Sequence, residues 1–457
     1  MSGDAIPAIL PRGPGHRFAI YGDSCSGVPG APHERTFAAV NAVLRRLDPR
    51  PDFILFPGDE IIGLTPDAAA LRAQWRHWLD VEMAWLDRGA TPMWHTTGNH
   101  TAYDAMSEAV FREVLRLPRN GPADQKGLSY WVRRGDLLMV FVHTLWTGLG
   151  GEGHVETDWL KTVLAEHADA RHRIVLGHHP VFPVNGFSGS CQREIDHAER
   201  GGFWDILVEA GVAAYVCSHI LAFDVQVHRG VLQLCTAGAG TAHRMPEGAE
   251  YLHCVQAALD EEGLRYQVLD TEGTVREALT WPPPQAAAAS WRRLEAGEQP
   301  AMFSGAQDGR AMVELRCRGR SAPSPWAAAQ TILSAQAPGA LAPFWLGLTG
   351  RRQTLTAILG RAPGRSPTFW FGPDLGPDGA FDIHVGLHPA MGPGGLLFRD
   401  HADPRWTSFA GASPSGVEGL AWPALWSTGH GQAGPDDRPF AGPALAVEIH
   451  LPGGSRP

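Results

Sequence analysis

The feature that most constrains this chain is a repeated ending. Five short, mainly apolar runs each lead to a small residue followed by one that can bind a metal. Phe18-Ala19-Ile20-Tyr21 ends in Gly22-Asp23, and Phe53-Ile54-Leu55-Phe56 leads to Gly58-Asp59. Pro92-Met93-Trp94-His95-Thr96 leads to Gly98-Asn99-His100. Arg173-Ile174-Val175-Leu176 ends in Gly177-His178-His179-Pro180, and Ala213-Ala214-Tyr215-Val216 leads to Ser218-His219. A short apolar run bounded in this way reads as a buried strand that delivers a polar group to its C-terminal tip. In open α/β sheets that edge is where ligands sit.

Helical spacing fills the gaps between these runs. Phe37, Val40, Leu44 and Leu47 recur at helical intervals, and Leu71, Trp75, Trp78 and Trp85 lie on roughly one stripe. The tryptophans are read as helix-to-sheet packing. Ser129–Val132 and Leu137–Val142 read as a hairpin turned at Arg134-Gly135-Asp136. Helices are expected around Trp159–Leu164 and over Phe203–Glu209, and further short β runs at 223–228, 231–235, 251–258 and 264–269.

Trp281-Pro282-Pro283-Pro284 marks the clearest boundary, because consecutive prolines favour a stiff extended linker. Beyond it the texture changes to short β-like segments (Ala311–Cys317, Thr354–Leu359, Thr368–Phe371, Phe381–Leu387, Leu396–Phe398, Leu445–Leu451) parted by Gly/Pro turns. The expected organisation is an α/β domain over 1–280, a Pro-rich linker over 281–290 and an all-β sandwich over 291–457.

Composition narrows the function. Of 457 residues 44% are hydrophobic and 19% charged, which suits a globular chain. The net charge of -10 argues against nucleic acid as the main partner. No stretch approaches the roughly 20 apolar residues of a membrane span. The start lacks a signal-peptide pattern, so a cytoplasmic setting is expected. The six cysteines (Cys25, Cys191, Cys217, Cys235, Cys254, Cys317) form no CxxC pair and are read as reduced thiols.

Carboxylate, amide oxygen and imidazole together suit Mn, Fe or Zn. Two such ions can generate a hydroxide and clamp both oxygens of a phosphoryl displacement. The order Gly-Asp, Gly-Asp, Gly-Asn-His, Gly-His-x-Pro, Gly-His-x-His resembles the signature of the calcineurin-like metallophosphoesterases. The resemblance covers residues 17 to about 245. It implies a two-sheet αββα sandwich with one or two metal ions at the strand tips. It implies hydrolysis of a phosphomonoester or phosphodiester, small or glycan-linked, by a metal-activated water. By the same resemblance Asp59 would bridge two ions and Asn99, His178 and His219 would complete one site. Asp23 would serve the other, and His100 would act as general acid.

Departures from that signature are concentrated on one ion. Cys25 stands where the family often has a histidine, and Leu221 where it has the second histidine of the last motif. Ser218 replaces a glycine, and Thr101 stands where a carboxylate often supports the motif histidine. The purple acid phosphatase branch has a tyrosine at the position held here by Ile62. Cys25 or His143 could fill the gap, and Asp104 could support His100. Otherwise the chain is a degenerate member that binds a ligand or glycan. His179 reads as a structural or substrate-facing histidine. His143, His154, His197, His228 and His243 read as ordinary core or surface histidines. The expected specificity loops are 120–127, 148–153 and 185–191, with Lys126 in the first and Arg119 just before it as the nearby cations. The C-terminal strands have a looser similarity to concanavalin A or laminin-G jelly rolls, which implies glycan or protein binding or a homo-oligomer contact.

Overall fold

A computed structural model describes residues 4–184, 195, 197–241, 251–283, 291–294, 312–322, 329–336, 344–359, 368–376, 379–388, 390–391, 395–411, 425–429 and 439–451. The loop at 185–191 and His243 lie outside these residues. The chain divides into two compact units, Met1–Val225 with Val231–Pro282, and Gln226–Gly230 with Pro283–Pro457.

The first unit follows the alternation read from the sequence. Its elements are β1 (His16–Ile20), α1 (Pro32–Leu44), β2 (Phe53–Phe56), α2 (Ala68–His77), β3 (Met93–His95), α3 (Ala105–Leu115), β4 (Tyr130–Arg134), β5 (Leu137–Phe141), α4 (Thr157–Glu166), β6 (His172–Leu176), α5 (His197–Glu209), β7 (Ala214–Cys217), β8 (Phe223–His228), β9 (Val231–Thr236), β10 (His253–Asp260), β11 (Gly263–Asp270) and β12 (Val275–Trp281). They make two six-stranded sheets, ordered β12-β11-β10-β1-β2-β3 and β8-β9-β7-β6-β5-β4. Phe223 meets His253 and Tyr266 edge-on, and the Tyr130 hydroxyl donates to the His95 carbonyl at 2.6 Å, so the sheets face each other. Strands β1, β2 and β3 run parallel, as do β5, β6, β7 and β9, so their C-terminal tips share an edge within each sheet.

Local chemistry explains the elements between. Pro32 opens α1, where its missing N–H costs nothing. Asp67 caps α2 by accepting from the Ala69 N–H at 2.8 Å. Asp104 forms a capping box with Ser107 at α3. The tryptophan stripe begins on α2 and continues into a π-helical turn, Trp78–Glu82, with Trp75 and Trp78 fully buried. Behind the second sheet, Leu138, Val140 and Val175 share a core with Leu160 and Val163 of α4 and Phe203 and Leu207 of α5.

Trp281 differs from expectation. It ends β12, paired with Leu264, and so belongs to a sheet and not to a linker. Pro283 is the last described residue before 291.

Among the described residues, the second unit has only strands of any length. One antiparallel sheet holds Ala444–His450, Val313–Arg320, Ala380–Leu387 and Leu396–Asp400, with short flanking pairs. The other holds Thr368–Asp374, Thr354–Leu359, Phe344–Thr349, Gln330–Gln336 and Leu425–Thr428. Leu315, Cys317, Ile383 and Val385 of the first share one core with Leu346, Leu348, Ala357 and Trp370 of the second. Strands Gln330–Gln336 and Phe344–Thr349 escaped the sequence reading.

Candidate metal centre

All five motifs stand just beyond strand ends of the first unit, three on one sheet and two on the other. The loops after β1 and β2 are zipped together. Asp23 N–H donates to the Gly58 carbonyl at 3.1 Å, Cys25 N–H to Asp59 at 2.8 Å and Ser26 N–H to Glu60 at 2.9 Å. Behind them the Trp78 indole N–H donates to Ser24 Oγ at 3.1 Å. Glu82 accepts from Ser26 Oγ at 2.5 Å and from the Gly27 N–H. Asp23, Cys25, Asp59 and His219 all have positive φ, between 41° and 69°. Non-glycine residues in that region mark backbone held for a purpose. Gly98 must be glycine, since a Cβ there would lie 2.1 Å from Asp59 Oδ1.

Asp59 is the hub. Its Oδ1 accepts the His100 N–H at 2.9 Å, and its Oδ2 lies 3.1 Å from His178 Nε2. Burial alone would raise its pKa. His178 and His100 overcome that and hold the carboxyl below its usual range. Burial would likewise lower the pKa of His178, but Asp59 pushes it up to about 9. His178 Nδ1–H donates to the Pro57 carbonyl at 2.8 Å, which turns Nε2 toward the centre. There Nε2 lies 3.1 Å from Asn99 Oδ1 and 3.2 Å from His219 Nδ1, itself 2.8 Å from Asn99 Oδ1. Four electron-rich atoms, from Asp59, Asn99, His178 and His219, thus crowd one point. Extra protons on the imidazoles or a cation must sit among them. The donor set fits one transition-metal ion well.

The other half of the centre is poorer. Asp23 is buried and its Oδ2 accepts from both Ser218 Oγ and the His219 N–H, the latter at 2.8 Å. Burial pushes its pKa up to about 6, against the charge of His178. Cys25, Asp59 and His100 bring ligand atoms within 4.8 Å of one another, so Cys25 is within reach. Burial first, then Asp59 and Asp23, push its thiol pKa well up, so it is protonated unless a cation joins it. Leu221 offers no donor.

Two residues raised as possible replacements are engaged elsewhere. His143 pairs with Thr97 Oγ1 at 2.6 Å and faces Glu108 Oε1 at 3.7 Å. Asp104 is spent on its capping box, and His100 Nδ1 instead donates to the Ile62 carbonyl at 2.7 Å. Arg119 and Lys126 are exposed. His154 stacks on Trp146, and His228 meets Gln226 at 3.1 Å.

His179, read from the sequence as structural or substrate-facing, also reaches the centre. It is buried, touches Thr144 Oγ1 through Nδ1 at 2.8 Å, and brings a ring nitrogen within 4.8 Å of those of His178 and His219. The doubled His-His before Pro180 was the available signal.

Residues 16–223 match the model of the calcineurin-like phosphoesterase family. This stretch is a calcineurin-like phosphoesterase domain. The first unit has the metallophosphoesterase α/β fold. Among solved structures the chain is similar to purple acid phosphatase PPD1 from yellow lupin (Lupinus luteus), with 14% identity and a TM-score of 0.44 over 59% of this chain and 54% of that one. The chain thus spans about half of the lupin enzyme. It is also similar to GAP50, described as the anchor in the inner membrane complex of Plasmodium, with 15% identity and a TM-score of 0.41 over 58% of this chain and 88% of that one. No curated protein matches the chain. Among the described residues, no helix is long and apolar enough to cross a membrane.

Proposed function

We propose that the chain is a metal-dependent phosphoester hydrolase working at the tips of β1, β2, β3, β6 and β7. The observation that carries this reading is the convergence of Asp59 Oδ2, Asn99 Oδ1, His178 Nε2 and His219 Nδ1 on one point. These four would hold one Mn, Fe or Zn ion. Asp23, Cys25 and the shared Asp59 would hold a second more weakly. When bound, such ions supply charge neutralisation for the phosphoryl oxygens and acidify a water. The chain's own residues do the rest. Asp59, which His178 and His100 keep ionised, would supply its carboxylate to the ions. His178 is fixed in one tautomer by Pro57. His100 gives Nδ1–H to Ile62, so Nε2, when it too carries a proton, would pass that proton to the departing oxygen and be left neutral.

A second reading has its own support. Leu221 supplies no ligand, and Ser218 occupies an Asp23 oxygen. On that reading the chain is a weakened member that binds a phosphorylated or glycan ligand, with its C-terminal sandwich as a lectin-like module. Five buried free cysteines among the described residues suit a reducing, cytoplasmic setting for either.

The test is metal content per chain by elemental analysis after Mn or Zn loading, with turnover of a broad phosphoester panel. Bound metal with turnover supports the hydrolase. Bound metal without turnover favours the second reading. A chain that takes up no metal and turns over nothing would overturn the hydrolase reading.

A further inference from the structure

Eight non-glycine residues among those described have positive φ. Arg116 ends α3, and Arg229 and Gln353 sit in turns between strands. Asp23, Cys25, Asp59 and His219 belong to the metal centre. The eighth is Leu64, at φ 50° and 57% exposed. Glycine or asparagine would take this conformation at less strain, and neither exposure nor backbone geometry rewards a leucine there.

Its surroundings suggest what does. Leu64 lies two residues beyond Ile62, whose carbonyl holds His100 Nδ1 at 2.7 Å. Gly63 is pressed so closely on the His100 carbonyl that a Cβ would overlap it. Tyr103 then fastens the segment, accepting from the Thr65 N–H at 2.9 Å and donating to its carbonyl at 2.7 Å. The carbonyl of Tyr103 lies against Gly150, in the turn that carries Trp146 and Leu149. That turn is pinned by the Gly148 N–H, which donates to Glu108 Oε1 at 2.6 Å. Leu149 is 81% exposed and Trp146 46%. Two loops packed on the His100–Tyr103 segment therefore carry three exposed large apolar side chains.

We infer that Leu64, with Leu149 and Trp146, forms a leaving-group subsite for the apolar alcohol portion of the phosphoester, an aryl or branched alkyl group. The inference rests on the phosphoester reading of the centre. It adds the substrate class: esters of apolar alcohols over those of polyols. Apolar side chains would stack on the organic group, while His100 and the metal centre address the phosphoryl group.

The test uses the full chain loaded with Mn and two probes that are not hydrolysed, phenylphosphonate and methylphosphonate, with Kd from calorimetry. The variants are Leu64→Asn, which tolerates positive φ and so folds at least as well, and Leu149→Ser. Phenylphosphonate should bind the wild type about tenfold more tightly than methylphosphonate. In Leu64→Asn that preference should fall to about twofold or less, with methylphosphonate affinity kept. Equal binding of both probes by the wild type overturns the subsite and leaves the phosphoester reading standing. A full phenyl preference in Leu64→Asn and Leu149→Ser overturns the assignment of these residues. Failure to bind either probe, together with absence of turnover on any phosphoester, overturns both readings.

Discussion

The Ser218 hydroxyl donates to the same Asp23 oxygen that accepts the His219 N–H. A carboxylate oxygen held by two protein donors is a poor metal ligand, because coordination must displace or compete with both. Ser218 also lies where a glycine would leave room, its Oγ 2.4 Å from the Cβ that any side chain at Gly22 would need. If the proposed second ion binds at Asp23, the serine would weaken its position through that carboxylate, and Leu221 would add no ligand.

Restoring both should be measurable. Ser218→Gly with Leu221→His frees an Asp23 oxygen and supplies an imidazole. Metal content should rise from about one tightly held ion per chain toward about two. Elemental analysis after dialysis against a weak chelator reads it. Unchanged content would mean that Cys25 or another group already completes the position.

Glu60 and His95 make a buried pair behind the centre, with Oε1 and Nδ1 2.8 Å apart and Glu60 fully buried. Burial pushes the Glu60 pKa up, against the bond from His95. Removing one partner strands the other, so His95→Leu should lower stability by about 3–5 kcal/mol in urea unfolding. Glu60→Gln combined with His95→Leu should recover part of that loss, because the remaining group is neutral.

The Glu60 pair shows where sequence stops informing. Periodicity and the small residues after each run identify which residues follow strand ends, and the α/β alternation of the first unit with the all-β texture of the second was legible. The direction of each side chain was not, because it depends on left-handed turns at Asp23, Cys25, Asp59 and His219. Asp59 and Glu60 are adjacent carboxylates, yet one faces the centre and the other His95. Asp104, three residues from Thr101, resembles a partner for His100 but is spent on its helix cap. His179 was read as structural or substrate-facing because a histidine beside a candidate ligand has no spacing rule to mark it. Strands such as Phe344–Thr349 were missed because their Gly, Thr and Trp content dilutes the two-residue alternation.

Stability should also depend on pH through His253. Its ring is buried, with Nδ1 on the Tyr251 carbonyl at 2.8 Å and Nε2 on Thr236 Oγ1 at 3.1 Å. Burial pushes its pKa from 6.5 down to about 4. Between these values the unfolded chain binds a proton that the folded chain refuses, so acid favours unfolding. This contribution is absent above pH 6.5 and grows to about 3 kcal/mol of lost stability as pH falls to 4. Urea titrations at several pH values should show this slope, and His253→Gln should flatten it.

His100 separates chemistry from metal binding. Its backbone N–H is tied to Asp59 Oδ1 at 2.9 Å and its Nδ1 to the Ile62 carbonyl at 2.7 Å. The ring is thus oriented from both sides, while none of the four atoms crowded at the better metal position comes from it. His100→Asn keeps the backbone bond to Asp59 and removes the proton carrier. On an ester with a poor leaving group, kcat should fall by about 10²–10⁴ with metal content unchanged. On an activated ester such as an aryl phosphate with an acidic phenol the fall should be much smaller, because that oxygen leaves without a proton. Equal losses on both esters would assign His100 to holding the phosphoryl oxygens. Loss of metal would make it a positioning residue for Asp59.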